Sequence, residues 1–357
     1  MKKIVFAHLL NDFSGSPLIL SSIIKGLKKE GYEIDLFTCG EREGFLSDLG
    51  INYYHFPYRF FPNKYMRLVA FMLSQLILLI KMLWRYRNQE VVFYINTLLP
   101  IGASLAGKLL GKRVVYHIHE VSIKPESFKK LLKGIANKTA STAIYVSNEL
   151  MRLEALPDVE GKVVYNGLSE AFLAKADEYK KEVKSERFTV LMLCSLKDYK
   201  GVPEFIQLAE ALPNYKFELV VNASLAEIKN YFGTIPDFPN LTIFDVQRNV
   251  HPFYQRAHLI LNLSHPETWV ETFGMTILEG MYYEKPCIVP PIGGPIELIE
   301  NGVEGYTIDQ RNLDKIISTI NLIATDKVLY RQLSKAAFEK AKQFSLDNMI
   351  QGSSGVI

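Results

Sequence analysis

The sequence predicts an α/β chain made of two doubly wound parallel sheets. Three observations carry that expectation. Short apolar runs of strand length alternate with stretches of helical spacing along the chain. The alternation is interrupted at Lys175 to Arg187, where charge is dense and large apolar residues are scarce, as at a domain boundary. At 357 residues the chain exceeds one ordinary core, given roughly 150 residues per domain, and an apolar content of 48% is ample for two.

A net charge of +3 is close to balance, so nucleic acid is not expected as a partner. Cys39, Cys194 and Cys287 are far apart and make neither a C-x-x-C pair nor a metal-ligand spacing, which points to a reducing compartment. The opening Met-Lys-Lys-Ile-Val-Phe-Ala-His imitates the basic start of a signal peptide, but Asn11 and Asp12 end its apolar run early. The chain is therefore expected to stay in the cytoplasm.

Lys3 to His8 reads as the first strand, within an apolar run that reaches Leu10 and suits a strand buried on both faces. Asn11 to Pro17 forms a glycine-containing loop, Leu18 to Leu27 has helical spacing, and Tyr32 to Thr38 supplies a second strand. Gly15 thus lies at the carboxyl end of a strand, where open α/β sheets place ligands. G-x-G-x-x-G and G-x-x-x-x-G-K-[ST] are both absent, so the fingerprints of nicotinamide dehydrogenases and P-loop nucleotidases are missing.

Arg59 to Arg87 is rich in cations and aromatics and has no acidic side chain. Its apolar centre, Leu68 to Ile80, is broken only by Ser74 and Gln75 and is 13 residues long, against the roughly 20 that span a bilayer. Two readings stay open. One is a buried helix, the other a helix packed on the domain whose basic, aromatic end rests on anionic lipid.

Val91 to Asn96 and Arg113 to Ile118 are further strands, separated by the helix-like Ala103 to Leu110. The second delivers His117, His119 and Glu120 to its carboxyl end, with the two histidines on one side. No compact His/Cys/Asp set accompanies them, so no metal is expected there. Thr142 to Ser147 and Lys162 to Tyr165 complete the first half.

In the second half, strands are expected at Phe188 to Cys194, Phe217 to Asn222, Leu241 to Phe244 and Leu259 to Leu263. Ser195-Leu-Lys-Asp-Tyr-Lys-Gly201 follows the first of them, and Pro203 starts a helix whose N-terminus, beside Lys197 and Lys200, suits a phosphate. Glu271-Thr-Phe-Gly-Met-Thr-Ile-Leu-Glu279 reads as a loop entering a helix at Gly274, followed by a short buried strand and the turn Gly293-Gly294-Pro295. It pairs an anion-binding helix start with two carboxylates, and an ionised carboxylate accepts the hydroxyls of a vicinal diol well. The natural site in two such domains is the cleft between them.

Glu271-x7-Glu279, the run from Lys285-Pro-Cys-Ile-Val to Glu300-Asn-Gly302, and Ser195 to Gly201 together resemble the retaining GT-B glycosyltransferases of family 4. The similarity extends to Gly15, His119, Val146-Ser147 and Asn166-Gly167. It implies a Rossmann-like acceptor-side domain over residues 1–170 and a nucleotide-sugar domain over 171–339, with a C-terminal helix of about 340–357 packed back on the first. It also implies that Glu271 contacts hydroxyls of the donor sugar and Glu279 the ribose. Lys200 would bind the diphosphate with backbone N–H groups along Thr272, Phe273, Gly274 and Met275. Gly15 would let the first domain approach the donor, His119 would hydrogen-bond the sugar, and Val246 would lie by the base. In place of the family's Gly-Arg-Leu stands Cys194-Ser195-Leu196, so the usual phosphate-binding arginine is missing, and two alternatives stay open: Lys197 replaces it, or Ser195 offers only a hydroxyl.

The implied activity is a metal-independent, retaining transfer from a nucleotide sugar to a saccharide or lipid-linked acceptor in surface polysaccharide synthesis, with closure of the two domains assembling the site. No cofactor is implied, and anionic membrane is the further partner suggested by Arg59 to Arg87. The rivals are a GT-B nucleotide-sugar epimerase and a non-catalytic nucleotide-sugar-binding partner of another transferase.

Overall fold

The computed structural model describes residues 2–40, 43–180 and 187–357, so part of the predicted boundary stretch, residues 181–186, lies outside the described residues. The chain forms two compact units, Met1–Gly167 with Leu346–Ile357, and Leu168–Ser345. The helix Glu170–Tyr179 belongs to the second unit, where Phe172 packs on His251 at 4.7 Å between ring centroids. The compositional change thus falls inside that unit.

The first unit holds a seven-stranded sheet of β1 (Lys3–Leu10), β2 (Glu33–Cys39), β3 (Asn52–Phe56), β4 (Val91–Asn96), β5 (Val114–Ile118), β6 (Thr142–Tyr145) and β7 (Glu160–Val163). All neighbours are parallel, in the order β3-β2-β1-β4-β5-β6-β7. The central strands are buried on both faces, which is why they read as continuous apolar runs. β3 escaped the sequence reading because it is a partly exposed edge strand with no apolar run. The sequence direction reverses between β1 and β4, so the switch point of this sheet lies at their carboxyl ends.

Asp35, fully buried on β2, ties three strands to a helix. Tyr86 Oη donates to it at 2.6 Å, Asn52 Nδ2 donates at 2.8 Å, and Lys3 Nζ lies 3.4 Å away. A buried carboxylate needs such partners, because leaving it alone is strongly unfavourable. Arg85, on the same helix, stacks over the Tyr54 ring at 4.0 Å.

That helix, Lys64–Tyr86, differs from the expectation. It runs for 23 residues through Arg67 and Lys81, which the sequence reading took as its limits, and is long and apolar enough to cross a membrane. Asn63 caps it by accepting from Tyr65 N at 2.9 Å and Met66 N at 3.2 Å. Only 28% of its most apolar 18-residue window is buried, so it is not the buried helix of the first reading. The inner face carries the two polar residues: Gln75 Oε1 accepts from Gly102 N at 3.0 Å, and Ser74 Oγ donates to Phe71 O at 2.7 Å. A Cβ on Gly102 would sit 2.1 Å from Gln75 O, so glycine is what lets the helix Ile101–Leu109 approach.

The second unit holds a six-stranded parallel sheet of β8 (Thr189–Cys194), β9 (Lys216–Val221), β10 (Leu241–Phe244), β11 (Leu259–Leu261), β12 (Cys287–Val289) and β13 (Gly305–Thr307), ordered β10-β9-β8-β11-β12-β13. Its switch point lies between β8 and β11. The C-terminal helix Leu346–Ser354 belongs to the first unit: Arg113 Nε donates to Val356 O at 3.0 Å, and a Cβ on Gly26 would meet Ile350 Cδ1 at 2.2 Å.

Gly102→Leu is expected to destabilise the protein by about 2–3 kcal/mol through overpacking. Gly134→Ala, at an exposed helical position with open space for a Cβ, should stabilise slightly. Urea unfolding of the two variants checks the contrast, and equal midpoints would refute the close approach.

Candidate active site

In the second unit the expected donor residues leave the carboxyl ends of neighbouring strands. Ser195, Lys197 and Lys200 follow β8, Val246 follows β10, and Glu271 to Met275 follow β11. The loops after β8 and β11 flank the switch point.

Past Ser195, the turn Asp198–Lys200 ends at Gly201, which adopts φ +80° and opens the helix Val202–Ala211. A side chain there would collide with Leu263, whose Cβ lies 2.3 Å from the position a Cβ would take. The turn thereby directs Lys200 Nζ to Glu271 Oε2 at 2.7 Å, with the side chains 13% and 23% exposed. Trp269, whose ring lies 5.0 Å from Lys200 Nζ, stacks on Tyr199 at 5.3 Å and walls one side of the pair. Lys197 is exposed instead, and its charge acts on Glu227 at the start of the helix Leu225–Phe232. Val246 is 52% exposed, its N–H donating to Ala223 O at 3.0 Å.

The loop Glu271 to Gly274 is held by the later turn Gly293-Gly294-Pro295. Gly294 N donates to Glu271 O at 2.7 Å. A Cβ on Gly294 would sit 2.2 Å from Thr272 O, and one on Gly293 2.5 Å from Glu271 O. Gly274, at φ +100°, starts the helix Met275–Tyr282 without a side-chain cap, and Phe273 is buried beneath it, 5.8 Å from the ring of Phe344. Glu279, on the fifth residue of that helix, accepts from Tyr254 Oη at 2.7 Å. Burial pushes its carboxyl up to about 7, partly offset by the tyrosine.

In the first unit, His119 and Gly15 lie beyond the ends of β5 and β1. A Cβ on Gly15 would meet no atom within 4 Å, so packing in this unit does not require the glycine. His119 Nε2 stands 2.9 Å from Asn96 Oδ1. Asn96 Nδ2 faces His8 Nδ1 at 3.0 Å and Ser16 O at 3.4 Å, which orients the amide so that His119 Nε2 is the protonated nitrogen. Burial, then the charges of His117 and His8, hold His119 well below the usual histidine range, so the ring is neutral and its Nδ1 is an acceptor. His117 packs inside and pairs with Tyr94 Oη at 2.9 Å. Glu120 is raised by burial to about 7.

Asn96 and Thr97 were missed by the sequence reading. Thr97 is β-branched yet adopts φ +74°, a strained conformation of the kind that gathers at functional sites. The one available signal was a polar Asn-Thr pair closing an apolar strand at what the topology makes the switch point. Trp269 was likewise only a neighbour of the motif. Among the described residues, no group of three or more His, Cys, Asp or Glu is placed to hold a metal ion.

Two parallel sheets, each with polar residues gathered at its switch point, define the GT-B class. Residues 175–340 match the family described as Glycosyl transferases group 1. Nearly the whole chain is similar to N-acetyl-alpha-D-glucosaminyl L-malate synthase of Bacillus anthracis, at 25% identity over 372 residues, 94% of this chain and 91% of that protein. Among solved structures, Alr3699/HepE of Anabaena in complex with UDP-glucose superposes with a TM-score of 0.79 at 20% identity, covering 99% of both chains. WaaG, a glycosyltransferase involved in lipopolysaccharide biosynthesis, superposes at 0.72 with 14% identity, covering 99% of both chains. The chain is a glycosyltransferase of the GT-B fold, with its group 1 domain at residues 175–340.

Gly294→Ala is expected to push the loop Glu271 to Phe273 off its seat, lowering the melting temperature by several degrees and weakening nucleotide binding more than tenfold. Calorimetric titration with nucleotide at a temperature where the variant is still folded checks this; unchanged affinity would refute the bracing role.

Proposed function

We propose that the chain is a retaining, metal-independent family 4 transferase that moves a sugar from a UDP- or GDP-sugar to a saccharide or lipid-linked acceptor in surface polysaccharide synthesis. The observation that carries this reading is the Lys200–Glu271 pair at the switch point, beside the uncapped helix start at Gly274. The bound UDP-glucose of the Anabaena neighbour and the lipopolysaccharide role of WaaG support the donor class and the acceptor class respectively.

In this reading Lys200 turns from Glu271 to the diphosphate, and the N–H groups around Phe273 to Met275 receive the same charge. Glu271, released from the lysine, accepts hydroxyls of the transferred sugar. Glu279 accepts the ribose diol, Val246 lines the base, and His119 offers Nδ1 to a sugar hydroxyl while Asn96 holds its other nitrogen. The bond from the anomeric carbon to the phosphate oxygen breaks with both electrons leaving on the phosphate. The acceptor oxygen bonds on the same face, and its proton passes to that phosphate oxygen. Lys200 and the helix start stabilise the charge that develops on the leaving group, which lowers the barrier without a metal.

Ser195 supports one other reading. With a hydroxyl where a guanidinium is usual, and Lys197 exposed beside Glu227, the diphosphate meets less positive charge, as suits a non-catalytic nucleotide-sugar-binding partner.

Purified protein with a panel of UDP- and GDP-sugars separates the two. Turnover, by donor hydrolysis or transfer, is expected for one donor, with Lys200→Ala about a hundred- to a thousand-fold slower. Tight nucleotide binding with no turnover on any acceptor would favour the partner reading, and turnover indifferent to both Lys200→Ala and Glu271→Ala would reject the site.

Nucleotide binding should also depend on Glu279. Only its ionised form accepts two hydroxyls, and its carboxyl titrates at about 7. Affinity is therefore full above that value and falls, by at most about tenfold per unit, as pH drops below it. Tyr254→Phe removes the donor that favours the ion, so its fall should begin at higher pH. Titrations across the neutral range check the sign, and an affinity flat with pH would remove Glu279 from the ribose site.

A further inference from the structure

The outward face of the helix Lys64–Tyr86 is a surface that the transferase reading leaves unused. Tyr65, Val69, Leu73, Leu76, Ile80 and Trp84 recur at helical spacing along it and are each more than half exposed. They cover about 28 Å of helix length at 1.5 Å per residue. Soluble surface helices turn their polar stripe outward, and this one turns it inward, with Ser74 and Gln75 at 1% and 3% exposure. A continuous apolar stripe of this size marks an interaction surface.

Charge says what covers it. Arg59 and Lys64 are exposed at one end, Lys81 and Arg87 toward the other, and no acidic residue occurs between Asp48 and Glu90. Tyr65 and Trp84, near the two ends, are residues that favour the boundary between hydrocarbon and water. A second copy of the face, in either orientation, would bring cations against cations with no carboxylate between them. A spanning helix is excluded by the inner face, where Gln75 holds Gly102 N and Tyr86 holds the buried Asp35.

We propose that this helix docks the first unit on an anionic bilayer surface, lying in its plane. The apolar stripe enters the boundary between headgroups and acyl chains, and Arg59, Lys64 and Arg87 reach anionic headgroups. Arg85 and Lys81 do not belong to that set, since Arg85 is stacked over Tyr54 and Lys81 Nζ donates to His55 O at 2.9 Å.

Flotation of the full chain with vesicles of phosphatidylcholine, alone and mixed with phosphatidylglycerol, tests this. The wild type should float with the mixed vesicles and much less with the neutral ones. Each cation near such a surface contributes about fivefold to binding, so Arg59→Glu, Lys64→Glu and Arg87→Glu combined should lose at least about a hundredfold on mixed vesicles. Leu73→Ser, Leu76→Ser and Ile80→Ser combined should lose more than tenfold on both. Should the serine variant melt early, the charge variant, altered only at exposed side chains, decides. Failure of the wild type to float, or binding indifferent to the charge reversals, would overturn the proposal. So would a vesicle-free dimer that the serine variant splits, because a second copy would then be the occupant.

Discussion

The second unit's site depends on one backbone approach: Gly293 and Gly294 pass so close to Glu271 and Thr272 that neither can carry a side chain. The short hydrogen bond from Gly294 N to Glu271 O fixes the loop between β11 and the helix at Gly274. That loop sets where Glu271 points and how the first turn of the helix is presented. Lys200 is set by a separate close contact, Gly201 against Leu263, itself just beyond β11. Two glycine contacts from different parts of the sequence thus converge on one ion pair, so its geometry is imposed by backbone rather than by flexible side-chain packing.

The Lys200–Glu271 pair holds two opposite charges together at a largely buried position. With side chains only 13% and 23% exposed, each charge gives up part of its hydration and the partner compensates it. On the proposed reading, a diphosphate would bring more negative charge than one carboxylate and would add the helix start to the cation's side, which favours an exchange of partners. A lysine left alone in the same place would face the aromatic wall of Trp269 and Tyr199 with less to compensate it.

Most of the fold was legible in the sequence because parallel strands buried on both faces leave apolar runs that periodicity detects. β8, β9 and β10 match their expected positions within a residue or two, and the glycine entry at Gly274 is where the motif places it. What stayed hidden depends on contacts between distant residues. Asn96 orients His119 across two strands, and nothing local distinguishes it from any asparagine at a strand end. The bracing of Glu271 by Gly294 joins residues whose separation says nothing of their contact. β3 is hidden for a different reason, since an edge strand needs no apolar alternation.

The helix Lys64–Tyr86 shows why composition alone misjudged a segment whose residues were all noted. Counting apolar residues between charges treats Ser74 and Gln75 as interruptions, and Arg67 and Lys81 as ends. Both inferences assume that polar side chains face water. Here the neighbouring helix comes so close at Gly102 that its backbone N–H needs an acceptor, and Gln75 supplies one. Because a buried N–H without a partner is costly, the polar residues are drawn inward and the rotation of the helix about its axis is set. Once that rotation is set, Leu73, Leu76 and Ile80 have no place but the outside. The exposed stripe follows from satisfying the inner hydrogen bond, and no repacking of the outer residues alone could bury it.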